Sequence, residues 1–109
     1  MPRRARQFAA AARARQSCQR PGCAGEGPYE AHHVIYGCDL RAAGRAVFHP
    51  HNALGLCSRC HADHHTGRRT LPIAALTDAN LAYALAVLGD EARAYLAARY
   101  DGEDVRLWP

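Results

Sequence analysis

Four of the five cysteines stand in two close pairs, Cys18-x4-Cys23 and Cys57-x2-Cys60. Thiolates at such spacings make two knuckles, and two knuckles brought together close a tetrahedral site with no open position. Soft, closed donor sets of this kind suit a structural Zn2+. The chain between residues 23 and 57 must then return to its own N-terminal knuckle. A chain of 109 residues forms one domain with little core to spare, and much of its apolar content is alanine. Folding free energy from the metal is expected to make up the difference. The competing expectation is four buried, reduced cysteines, and Cys38 is left over as a free thiol. No apolar run reaches membrane-spanning length, and the basic N-terminus lacks a signal peptide's apolar stretch. A cytoplasmic protein without a membrane partner is expected, in a compartment that keeps thiols free for metal.

Charge is unevenly placed. Residues 1–69 carry 11 Arg against Glu26, Glu30, Asp39 and Asp63, a balance of +7, whereas residues 70–109 carry 3 Arg against six acids. All 14 basic residues are arginine, which suits bidentate contacts to phosphate. A polyanionic partner is therefore expected for the first two-thirds of the chain.

Three segments follow from periodicity. Residues 1–17 form a basic helix or arm, helical over 3–16. Residues 18–69 form a metal-rich core, with a strand over Tyr29–Tyr36, a loop over 37–53, a second strand over Leu54–Cys57 and a helix from Ser58 to about His65. Residues 70–109 form a helical extension. In it Asp78 caps a helix with Leu81, Leu85 and Leu88 on one face, Gly89 breaks it, and Asp90 begins another. The extension packs on the core or binds a partner.

The seven histidines cluster at His32-His33, His49, His51, and His61, His64, His65. On a strand His32 and His33 point to opposite sides, so one can ligate a metal while the other faces substrate. On a helix His61 and His65, at i and i+4, share a face, and His61 with His64, at i and i+3, can do the same. His49 and His51 belong to the loop.

Ala31-His32-His33-Val34, Asn52-Ala53-Leu54-Gly55-Leu56-Cys57 and Cys57-Ser58-Arg59-Cys60-His61, with the Cys18/Cys23 pair upstream, resemble the HNH nuclease family, in particular its small phage-encoded, zinc-containing members. The matching region is about residues 18–65. The resemblance implies an α+β fold, with a ββα-metal core (His-Me finger) around a zinc knuckle, flanked by the basic helix and a C-terminal helical hairpin. It implies that His33 is the general base and that Asn52 orients the His33 strand. His32, His61 and His65 would ligate a catalytic divalent metal, with His64 as the substitute for His65. Cys18, Cys23, Cys57 and Cys60 would hold the structural zinc. The expected activity is hydrolysis of DNA phosphodiester bonds with low sequence specificity.

Each role has a chemical reason. A histidine titrating near neutrality can act as a base when its other nitrogen is held by a hydrogen bond. Three imidazoles favour Zn2+, Ni2+, Co2+ or Mn2+ over Mg2+, and leave the ion's identity open. Arg41, Arg45, Arg59, Arg68 and Arg69 are the expected phosphate contacts, which position a backbone without reading bases. Two other classes stay open. One is a non-catalytic zinc module that binds DNA or protein. The other is a phage packaging accessory nuclease, active only with phage or host partner proteins.

Overall fold

A computed structural model describes residues 3–42, 44 and 47–108. Its centre is an antiparallel pair, β1 (Glu30–His33) and β2 (Ala53–Leu56), in which Glu30 faces Leu56, Ala31 faces Gly55, His32 faces Leu54 and His33 faces Ala53. Because side chains alternate, Glu30, His32, Leu54 and Leu56 share one face, and Ala31, His33, Ala53 and Gly55 the other.

Each face has its own helix. On the first lies α3 (Ser58–His65), and on the second α1 (Arg3–Arg13), which buries Phe8 and Ala12. Glycine at position 55 lets α1 approach: a Cβ there would stand 2.8 Å from the Ala12 carbonyl oxygen and 2.5 Å from Arg15 Cγ. The expected N-terminal arm is thus a packed helix, because Phe8 gives it an apolar anchor. It stops at Arg13, three residues short of the expected end.

The first strand is shorter than the Tyr29–Tyr36 expected. Past His33 the backbone leaves the ladder: Val34 N–H donates to the Asn52 carbonyl, and Ile35 turns to the Asn52 side chain. Cys57 likewise lies outside β2 and caps α3. The expected loop over 37–53 is partly helical. Its first part is α2 (Gly37–Ala42), with fully buried Leu40 as anchor, and Pro50–Asn52 forms a 3-10 turn.

In the C-terminal part, α4 (Asp78–Leu88) is capped by Thr77 rather than Asp78. The Thr77 hydroxyl accepts from Asn80 N–H, and the Asn80 side chain accepts from Thr77 N–H. Leu81 and Ala84 face inward, whereas Leu85 is 40% exposed, so the expected Leu81, Leu85 and Leu88 stripe is not the buried one. Gly89–Glu91 forms a 3-10 turn containing Asp90, and α5 (Ala92–Arg99) begins beyond it.

Both elements are tied to the strand region. Asn80 Nδ2 donates to the His51 carbonyl at 2.6 Å, and Tyr100 hydroxyl donates to the Val34 carbonyl at 2.9 Å. Leu71, Leu76 and Leu96 join Ile35, Leu54 and Leu56 in one apolar cluster. Among the described residues, no helix is long and apolar enough to cross a membrane.

Candidate metal centre and histidine pocket

The two cysteine pairs meet. Cys18 and Cys23 flank the turn after α1, Cys57 stands at the start of α3, and Cys60 lies in that helix's first turn. All four Sγ atoms lie within 4.8 Å of one another, and no cysteine is in a disulfide. Zinc–sulfur bonds of about 2.3 Å in a tetrahedron set sulfurs about 3.8 Å apart. Cys23 Sγ is 3.9 Å from Cys57 Sγ and 3.6 Å from Cys60 Sγ. The quartet fits a metal ion such as zinc.

Its surroundings agree with that chemistry. Gly25 N–H donates to Cys23 Sγ and Cys57 N–H to Cys18 Sγ, as outer-shell donors to thiolates do. A Cβ at Gly25 would come within 2.5 Å of Cys57 Sγ, so only glycine lets the chain cradle the group. Burial, then the neighbouring thiols, push the Cys60 thiol up to about 12. Burial likewise raises Cys18, while the Gly25 N–H lowers Cys23. Four ionised thiols thus need a cation among them, and with all four positions filled by protein such an ion is structural rather than catalytic.

The alternation of β1 sends its two histidines apart. His32 points at α3, where its ring centroid lies 4.7 Å from that of His64, 5.2 Å from His61 and 5.9 Å from His65. Two imidazoles on one ion, with nitrogen–metal bonds of about 2.1 Å, have centroids roughly 4.5–5.3 Å apart. The pairs His32–His64 and His32–His61 fall in that range. The distance from His65 to His61 is 6.2 Å, and His65 is exposed.

His64 is buried, stacks on Tyr100 and has an Nε2 atom that is buried with no hydrogen-bond partner, while the residue itself borders the pocket. Burial, then His64, His61, His33 and His65, hold His32 down to about 3, so its ring stays neutral with a lone pair available. Among the described residues the thiol quartet is the group whose ligand atoms already converge, and the imidazoles are more loosely set.

His33 faces α1, stacked on Phe8 at 4.5 Å with Phe48 at 5.6 Å. Its Nε2 is buried without a partner. Its pKa is lowered by burial first and by the Arg41 charge second. A cavity of about 290 Å³ is lined by His32, His33, Tyr36, Cys38, His64 and His65 among others, so both strand histidines border one space.

Asn52 is fully buried. Its Oδ1 accepts from Ile35 N–H at 2.9 Å and its Nδ2 donates to the Ile35 carbonyl at 3.0 Å. This pair pins the chain two residues beyond His33. Asn52→Ala strands both backbone groups, and is expected to cost about 2–4 kcal/mol in urea unfolding. An unchanged midpoint would show that the pair contributes nothing to the strand's position.

Arg41, Arg59, Arg68 and Arg69 are exposed, and Arg45 lies outside the described residues. His49 stacks on Tyr83, and His51 N–H donates to His49 Nδ1, so this pair stands apart from the pocket histidines.

Three site residues escaped the sequence reading. Glu30 Oε1 lies 2.7 Å from His61 Nδ1, and Phe8 and Tyr100 stack on His33 and His64. Only Glu30 left a local trace, since two residues before His32 on a strand is the same face.

These observations define a small α+β protein built around a four-cysteine group that could hold a metal ion, with a histidine pocket beside it. No family model matches the chain, and no curated protein or solved structure matches it.

Proposed function

We propose that this chain is a metal-dependent endonuclease of the HNH type that hydrolyses DNA phosphodiester bonds inside the cell. One observation carries the reading. Imidazoles from a strand and from the following helix gather around His32, with His33 beside it on the same strand and bordering the same cavity. In this reading His32, His61 and His64 hold a divalent ion, with His65 at the rim.

When bound, that ion supplies stabilisation of negative charge on the phosphoryl and departing oxygens. His33 takes the proton of the attacking water through Nε2, which has no partner in the protein. Asn52 keeps the His33 segment in place. Arginines of α1 and Arg41 lie on His33's side of the sheet and would grip the phosphate backbone without reading bases.

The looser setting of the histidines, against the convergent thiols, favours a second reading: a zinc module that binds nucleic acid or protein without cutting. Metal stoichiometry and a plasmid assay separate the two. Purified protein incubated with supercoiled plasmid in Mg2+, Mn2+, Ni2+ or Zn2+ is expected to produce open-circular or linear DNA with at least one ion, and none in EDTA. Two metals per chain are expected. One metal per folded chain, with intact plasmid in every buffer, would leave the zinc module standing.

A further inference from the structure

Glu30 sits at the edge of β1, two residues before His32, so the strand's alternation sets both on the α3 face. Its carboxylate reaches across to α3 and meets Nδ1 of His61 at 2.7 Å. We infer that Glu30 is a positioning residue for the histidine cluster around His32, whose ring lies 5.2 Å from that of His61: it fixes His61 in the tautomer whose Nε2 is bare and directed at a divalent cation. This rests on the cation-binding reading of the pocket given above.

An ionised carboxylate can only accept hydrogen bonds, and a neutral imidazole carries a single N–H. With Glu30 ionised and His61 neutral, their 2.7 Å contact puts the hydrogen on Nδ1 and leaves the lone pair on Nε2. Metal-bound histidines are held in this way by a carboxylate on the other nitrogen, which sets the ring plane and raises the ligand's basicity. Stability does not account for the pair. The two side chains are 47% and 26% exposed, and exposed pairs add little to folding. The strand pairing offers a further reason: Glu30 stands opposite fully buried Leu56 on the face covered by α3, so its backbone is held rigidly while its head reaches the helix.

The test uses the zinc-loaded full chain and Ni2+, an imidazole-preferring probe, in titration calorimetry. Glu30→Ala is expected to weaken Ni2+ binding about 10- to 100-fold, with an unchanged melting temperature. Glu30→Asp should bind between the two. Nitrogen-15 spectra of the metal-free pocket should show His61 protonated at Nδ1 in the wild type, and the tautomers mixed in Glu30→Ala. Equal Ni2+ affinity in wild type and Glu30→Ala, or a wild-type His61 carrying its proton on Nε2, overturns the inference and leaves the nuclease reading intact. A wild-type chain that binds no Ni2+ at the histidines overturns the cation reading itself, and this inference with it.

Discussion

Cys57→Ser is expected to abolish cooperative thermal unfolding, leaving a chain that is largely unfolded at room temperature. Structural zinc sites of this kind contribute on the order of 10 kcal/mol of apparent binding free energy, and a domain this small has about 5–10 kcal/mol of net stability. Cys57 ties together more than the thiol group. It is buried, begins α3, and its N–H donates to Cys18 Sγ, so β2, α3 and the N-terminal knuckle meet at one residue. Serine works in the opposite sense at one point. As a helix N-cap it is better than cysteine, by about 1 kcal/mol, which is far too small to offset a lost ligand. Circular dichroism against temperature reads the result, and a strong chelator added to the wild type should reproduce it. A variant melting within a few degrees of the wild type would rule out a metal as the staple between these elements.

His33→Ala should lower plasmid cleavage by about 10²- to 10⁴-fold, the contribution of a general base. It should leave the metal content the same as in the wild type. The ring stacks on Phe8 and meets Phe48 at a tilt, so its removal also opens a small space, at a cost of about 1 kcal/mol. That is too little to unfold the domain, and a melting curve run alongside separates the two effects.

The pH profile of the wild type gives a further handle. A base must be neutral, and His33 is neutral above its pKa, which burial and Arg41 lower from the ordinary 6.5. Cleavage should therefore persist below pH 6.5 and fall only under more acidic conditions. Wild-type rates in His33→Ala would remove His33 from the chemistry and point to another proton acceptor.

How much of this was legible in the chain depended on how local each cause is. The cysteine pairs were readable because each knuckle is closed within six residues, and the ββα order because a strand's period and a helix's period are written in neighbours. Element ends were less so. The first strand ends at His33 because Asn52, far along the chain, takes over the backbone groups of Ile35. Leu85 and Asp78 were misjudged for related reasons. Which stripe of α4 is buried depends on what packs against it, and capping depends on a reciprocal bond with Asn80.

The histidines divide along the same line. Spacing shows that His61 shares a helical face with both His64 and His65, but it cannot rank them. Tyr100, arriving from beyond α5, stacks on His64, which is buried 4.7 Å from His32, while His65 stays in solvent. The sequence by itself determined the donor types, the two thiol knuckles and the opposite directions of His32 and His33, because these follow from covalent connectivity and backbone period. Tertiary structure alone decided which imidazoles meet, that Glu30 joins His61 and that Phe8 covers His33. Those contacts join residues 25 to 32 positions apart, a separation at which only packing of the whole chain, and no local rule, sets the distance.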